Sequence, residues 1–104
     1  MDIETLKKIK ELDRSILNPK RFAILALLYM LGPQPISNIV RILELSWSEV
    51  ETHIRRLRDD GLVEVRRRIV GNKIRVVVSL TLEGEKRFTE IAQLLEDLIR
   101  KLRR

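Results

Sequence analysis

The chain has 104 residues, 44% hydrophobic and 35% charged, which predicts one folded domain over residues 1–104 and excludes a largely disordered chain. It has no cysteine and one histidine, His53, so disulfides, thiolate nucleophiles, cysteine-ligated zinc and most histidine-based sites are excluded, and we expect no metal, no cofactor and no enzyme. The 21 basic residues against 15 acidic ones give a net charge of +6, which favours a polyanionic partner such as nucleic acid.

Two helices are predicted in the first third of the chain. Near the N-terminus, apolar side chains recur at every third position: Ile3, Leu6, Ile9 and Leu12. This spacing predicts a short amphipathic helix within residues 1–16. Asn18 is a good N-cap and Pro19 suits the first helical position, so a second helix, buried on most sides, is predicted to run from there to Gly32.

A helix–turn–helix pair follows. Apolar residues at helical spacing from Ile36 to Leu43 predict a short third helix. After a tight turn, Ser46 and Glu49 match a capping box, which predicts a fourth helix over residues 47–60 that stops at Gly61.

The hydrophobic period then changes from helical to alternating. The segments LVEVRRRI and IRVVVSLT predict two strands, and the turn sequence VGNK between them predicts a hairpin over residues 62–80, which we call the wing. We expect its apolar face to pack on the core. Thr81 can cap a last helix within residues 82–104.

This order predicts a mainly α fold with a small β-hairpin, a winged helix-turn-helix whose core spans residues 18–81. In that arrangement the second helix of the pair enters the DNA major groove and the wing lies on the backbone. The outward face of residues 47–60 and its cap offer hydroxyls and an acceptor for base contacts, and guanidinium groups for phosphates. The predicted base contacts are Ser46, Ser48, Glu49 and Thr52, and the predicted phosphate contacts are Arg55 and Arg56. The alternative is the ordinary solvated side of an amphipathic helix.

The wing is strongly basic. No acid lies between Val65 and Ser79, whereas five basic residues do: Arg66, Arg67, Arg68, Lys73 and Arg75. This pattern predicts phosphate binding, with the tip reaching toward the minor groove. The alternative is an edge strand that its charges protect from aggregation.

The terminal helices carry more apolar surface than one small domain needs. We predict that they hold two subunits together through Ile3, Leu6, Ile9, Phe88, Ile91, Leu95, Leu98 and Leu102. The alternative is that the first and last helices cover each other within one subunit.

The chain resembles small winged-helix transcriptional regulators related to the MarR family, and particularly a compact prokaryotic and archaeal group that opens with L-N-P-x-R. The likeness covers about residues 14–90, in the segments LNPKRFAILALL, ISNIVRILELSWSEVETHIRRLRDDGLVEV and VSLTLEGEKRF. The most specific parts are residues 57–63 and 80–84. The resemblance implies a homodimer on pseudo-palindromic DNA, with residues 46–56 as the reading helix and 66–75 as the wing.

Two residues do not fit the pattern simply. Trp47 stands where these relatives usually have a small or polar residue; it either packs inward or protrudes toward DNA or a partner. His53 lies at the border of the apolar stripe, where a structural hydrogen bond is the favoured interpretation and a pH or ligand role the alternative.

The resulting hypothesis is a sequence-specific, homodimeric regulator that binds double-stranded DNA; the alternative is an architectural or protein-interaction module without sequence preference. No segment has the length and apolarity of a membrane span, and no secretory signal precedes the first helix, so we expect a cytoplasmic protein with no membrane partner. Nothing indicates a small-molecule effector. The low content of Asn and Gln favours a heat-adapted source.

Overall fold

The computed structural model describes residues 3–12, 14 and 16–103. The helices are α1 (Ile3–Lys10), α2 (Pro19–Leu31), α3 (Ile36–Leu43), α4 (Trp47–Asp59) and α5 (Leu82–Leu102). The strands are β1 (Gln34–Pro35), β2 (Val63–Val70) and β3 (Lys73–Leu80), in an antiparallel sheet of order β1-β3-β2. The predicted fold class, helical with a wing, is confirmed. None of the helices in the described ranges is long and apolar enough to span a membrane.

Local capping signals set the helix starts. The Asn18 side chain accepts from the backbone N–H groups of Lys20 and Arg21, at 3.0 and 3.2 Å, and Pro19 takes the first position of α2. In α4 both halves of the capping box between Ser46 and Glu49 are present. These bonds satisfy amides that a helix start leaves without partners, so the sequence places these starts correctly.

The N-terminal helix is shorter than predicted. It ends at Lys10, and the next two amides bond three residues back, Glu11 N to Lys8 O at 3.1 Å and Leu12 N to Ile9 O at 3.2 Å. This tighter turn closes the helix before the chain reaches Ile16, which is fully buried in the core. Residues 1, 2, 13 and 15 of the predicted helix, and residue 104 of the last one, lie outside the described residues.

The buried apolar residues form one cluster in which α2 is central. Ile24 and Leu25 of α2 are fully buried beside Ile39, Leu57 and Val78. The C-terminal end of α2 departs from the prediction of burial on most sides, because its last three residues are exposed: Tyr29, Met30 and Leu31. Among the described residues, the cover over that end is only partial, and the near-continuous apolar sequence of α2 does not reveal where the cover stops.

The wing is a regular hairpin closed by a two-residue turn. Gly71 and Asn72 both have positive φ, 55° and 66°, as a type I′ turn requires. This turn fixes a register in which Ile69 pairs with Ile74 and Val65 pairs with Val78.

The expectation that the apolar face of the wing packs on the core is wrong for the outer half of the hairpin. Near the body, Val63 and Val78 are buried, but toward the tip Ile69 is 78% exposed and Ile74 is 75% exposed. Alternation tells which face a side chain occupies, but it does not tell how far the supporting helices extend beneath the strand.

Candidate nucleic-acid interface

Helix α4 has a buried side and an exposed side, as its sequence pattern predicts. Val50, Ile54 and Leu57 lie in the core, whereas Ser48 and Thr52 are exposed. The Thr52 hydroxyl donates to the backbone carbonyl of Ser48 at 2.8 Å, and its oxygen can still accept a hydrogen bond. Short polar side chains on an exposed helix face can approach base edges closely.

Glu49 holds the start of α4 against α2. One carboxylate oxygen lies 2.6 Å from Lys20 Nζ, and the other accepts from the Ser46 amide at 3.0 Å. The Lys20 hydrogen bond, then the Ser46 amide, then the Lys20 charge lower the pKa of Glu49 to about 2. A base donor would therefore compete with Lys20 for Glu49, and Ser46 serves as the cap, so the base contacts predicted for these two residues have less geometric support than those of Ser48 and Thr52.

The two arginines predicted to contact phosphates differ in their surroundings. Arg56 Nε lies 3.0 Å from Asp60 Oδ2 in an ion pair along the helix. Arg55 is exposed and forms no ion pair with any described residue. Its charge is therefore the more available one on this face of α4.

The wing cations are all exposed. Arg66 lies at the start of the acid-free segment and forms an ion pair at 2.8 Å with Glu64, which precedes that segment. Arg67, Arg68, Lys73 and Arg75 form no ion pair within the part of the chain that the structure describes. Uncompensated cations on a projecting hairpin are suited to phosphate groups.

The start of α4 and the wing border one cleft of about 360 Å³. Trp47 and the acidic Glu51 line it from α4, and Ile74, Arg75 and Val76 line it from β3. Trp47 is 47% exposed, so it is neither a core residue nor a freely projecting one. Sequence reasoning missed this cleft because nothing in the local pattern relates residues 47 and 74.

His53 accepts a hydrogen bond from Arg21, whose Nη1 lies 3.3 Å from His53 Nδ1. Because guanidinium only donates, the neutral ring carries its proton on Nε2. Burial, and then the Arg21 charge, lower the pKa of His53. The geometry agrees with the structural interpretation of this residue, and the described residues contain no cluster of metal ligands around it.

The predicted dimer residues fall into two groups. Phe88 and Ile91 are buried in the core of their own chain, and the Phe88 ring lies 5.3 Å from that of Phe22 and 5.2 Å from that of Tyr29. Phe88 thus packs against α2, and both residues are covered within one chain, so their contribution to an interface between subunits stays a prediction without support from exposure. The exposed members of the set are Ile3, Leu6, Leu95 and Leu102, and the half-buried ones are Ile9 and Leu98.

Helices α1 and α5 also contact each other within one chain. Lys101 Nζ donates to the hydroxyl of Thr5 at 2.8 Å, and Thr5 is buried between the helices. Part of each terminal helix therefore covers the other within one chain, which was the alternative to a dimer interface. The exposed apolar residues named above remain uncovered.

Comparison with known proteins agrees with this geometry. A solved structure from Pyrococcus horikoshii OT3, described as a transcriptional regulator homologue, is 29% identical, with a TM-score of 0.85 over 96% of this chain and 98% of that one. The YusO protein of Bacillus subtilis is 23% identical, with a TM-score of 0.73 over 96% of this chain and 66% of that one. The transcriptional regulator Tm0710 of Thermotoga maritima is 21% identical, with a TM-score of 0.71 over 95% and 65%. The chain thus spans about two thirds of the latter two.

The comparison with curated proteins gave no match. The family described as winged helix DNA-binding domain matches residues 20–99, which include the whole helix–turn–helix, the wing and most of α5. The resemblance to small winged-helix regulators is thereby confirmed. The chain belongs to the winged helix DNA-binding domain family.

Proposed function

We propose that the chain is a transcriptional regulator that binds double-stranded DNA sequence-specifically as a homodimer. In this proposal α4 lies in the major groove, with Ser48 and Thr52 toward base edges, and the wing lies on the backbone and minor groove. The protein acts by binding and not by catalysis. The description of the Pyrococcus horikoshii relative as a transcriptional regulator homologue supports the regulatory role.

One observation carries the proposal: cations without an ion-pair partner among the described residues lie on both α4 and the wing. Arg55 lies on α4, Arg75 on β3, and neither forms an ion pair with a described residue. Surface cations without nearby carboxylates create a positive potential that attracts a polyanion such as DNA. A duplex presents phosphate rows on either side of its major groove, so one element can enter the groove while the other follows the backbone.

The homodimer is supported by apolar residues that one chain leaves uncovered. Ile3 is 67% exposed on α1 and Leu102 is 64% exposed on α5. Both helices continue this exposure at residues nearer the body, including Leu6 at 48% and Ile99 at 50%. Exposed apolar side chains along two adjacent helices are typical of an interface, and a second copy offers the same surface in return.

The salt dependence of DNA affinity tests the electrostatic part of the proposal. A dimer that contacts about six to ten phosphates should lose roughly 10³–10⁵ in affinity between about 50 and 200 mM salt. Fluorescence anisotropy of labelled duplexes at several salt concentrations measures this slope. Binding that does not depend on salt would contradict the proposal.

Selection of bound duplexes from a random pool tests sequence specificity. For a regulator, the enriched sequence should bind roughly 10³ times or more tighter than random duplex at the same salt concentration. A ratio near one would instead identify an architectural DNA-binding protein, which uses the same cations without reading bases.

A further inference from the structure

The end of the wing carries an apolar pair that lies outside the hydrophobic core. Ile69 and Ile74 are cross-strand partners, so their side chains lie on the same face of the hairpin. They are 78% and 75% exposed. Only the Val70–Lys73 pair separates them from the turn at Gly71 and Asn72. The buried part of this face ends nearer the body, where Val65 pairs with Val78.

The fold itself gives no reason for isoleucine at these two positions. A β-branched residue suits a strand there, and threonine would supply one while exposing less hydrocarbon. Two exposed isoleucines near a hairpin end invite unwanted association. Because the two side chains are cross-strand neighbours, they form one continuous apolar surface that a bound partner can cover.

The surrounding charge selects the partner that covers the pair. Arg67 lies on the same face of the hairpin as the isoleucines. Arg68 and Arg75 are cross-strand neighbours on the opposite face. A second wing would bring its own cations against these, so a wing-to-wing contact is opposed by like charge. The minor groove of DNA offers the complementary surface, because its walls are the hydrocarbon faces of deoxyribose rings bordered by phosphates.

We propose that the Ile69–Ile74 pair is an apolar wedge that enters the minor groove and opens it at a deformable base step. The proposal rests on the DNA-binding function proposed above and adds a second source of specificity. A B-form minor groove is only about 6 Å wide, too narrow for a two-stranded ribbon with its side chains. Inserted apolar side chains unstack a base step and bend the duplex toward the major groove, and pyrimidine–purine steps such as TA yield most easily.

If the wedge is present, the protein should prefer duplexes with a flexible base step under the wing. This preference would arise without any hydrogen bond to those bases. In the duplex selected from the random pool, 2-aminopurine placed at successive positions should brighten at the step that the wing unstacks. Changing that step from TA to AA should weaken wild-type binding roughly tenfold, within the range for one altered base pair. Energy transfer between dyes on the two duplex ends should report a bend.

The double variant Ile69→Thr/Ile74→Thr removes the hydrocarbon and keeps the β-branched shape. It should lose the 2-aminopurine signal, the bend and the preference for TA, while it still binds the AA duplex with wild-type salt dependence. Ile69→Val/Ile74→Val should restore the signal and the preference. Met30→Thr, at a residue of α2 that is 78% exposed like Ile69, is the matched control and should behave as wild type. If circular dichroism shows the double variant unfolded, the single variant Ile74→Thr is measured in its place.

The outcomes separate this proposal from the function on which it rests. If the wild type binds its selected duplex without a bend or an unstacked step, or if the threonine variant keeps the preference for TA, the wedge is wrong and the DNA-binding function stands. If the wild type binds no duplex, both proposals fail.

Discussion

At the scale of single residues, Thr81 and Gly84 join the wing to α5. The Thr81 hydroxyl donates to Gly61 O at 2.7 Å and accepts from the Gly84 amide at 2.9 Å, while the Thr81 amide donates to Leu62 O at 3.1 Å. A Cβ on Gly84 would overlap the Leu62 carbonyl oxygen and lie 2.9 Å from its carbon. The start of α5 therefore rests directly on the backbone where β2 begins, and only glycine permits this approach.

Gly84→Ala should destabilise the fold even though alanine is the better helix former. The methyl group must displace a backbone carbonyl, and overpacking of this kind costs about 1–3 kcal/mol. For a domain of this size each kcal/mol lowers the melting temperature by roughly 4–8 °C. Thermal unfolding followed by circular dichroism measures the change. Glu85→Ala, at the exposed next position, is the control. An unchanged or raised melting temperature for Gly84→Ala would show that α5 does not rest on Leu62.

Residue roles were predictable where the signal is local. The caps at Asn18, Ser46 and Thr81 each bond within three residues, and the structure confirms all three. The Lys20 partner of Glu49 lies 29 residues away, so no spacing pattern reveals it. The sequence therefore identified Glu49 as a cap and an acceptor, and only the tertiary structure shows that a lysine occupies the acceptor.

At the scale of elements, the wing shows what a pattern can and cannot predict. Gly71 and Asn72 determined the turn, and the turn determined the register. The outward projection of Ile69 and Ile74 depends on the reach of the helical layer beneath the sheet, which the strand sequence does not contain. The two-residue strand β1 was missed for a similar reason, since Gln34–Pro35 joins the sheet only by pairing with the distant Val77 and Val78.

The division of work between α4 and the wing predicts two classes of variant. Thr52→Ala removes a hydroxyl that faces the major groove in the proposed complex, so it should change which sequences are enriched from a random pool. Arg67→Ala or Lys73→Ala removes one phosphate contact from each subunit of the proposed dimer, so each should weaken all sequences alike and reduce the salt slope by about two.

Lys86→Ala is the matched control for the wing variants, because it removes one exposed positive charge from α5. Its salt slope should equal that of the wild type. A changed base preference in the wing variants with none in Thr52→Ala would show that the roles are reversed.

At the scale of the whole molecule, α5 links the winged-helix body to the proposed dimer interface. The radius of gyration is 15.4 Å, above the ~13 Å of an ordinary domain of about 100 residues, and the long axis measures 54 Å. The apolar stripe of α5 looks uniform in sequence, yet Phe88 and Ile91 are buried whereas Leu95 and Leu102 are exposed. Heptad spacing predicts an apolar seam, but the point at which the helix leaves its own core is a tertiary property.

Leu95→Glu should separate the subunits without unfolding them. Leu95 is 38% exposed in one chain, so a carboxylate there can remain hydrated in the monomer. In the proposed dimer the same carboxylate would be buried without a partner, at a cost of several kcal/mol. The expected product is a monomer with wild-type circular dichroism. Its affinity should fall steeply for a duplex with two half-sites about 34 Å apart, because linked half-sites bind far more tightly than separate ones.

Leu82→Glu is the matched control, because it makes the same substitution at the opposite end of α5, where the leucine is 87% exposed. This variant should remain dimeric, because Leu82 is not among the predicted interface residues. It should also remain folded, since an acid in the first turn suits the helix dipole. Sedimentation equilibrium and a titration with the two-half-site duplex, performed on the same samples, decide between the outcomes. A monomeric wild type, or a Leu95→Glu monomer that binds the full site as tightly as wild type, would mean that the apolar surface of the terminal helices does not assemble the DNA-binding unit.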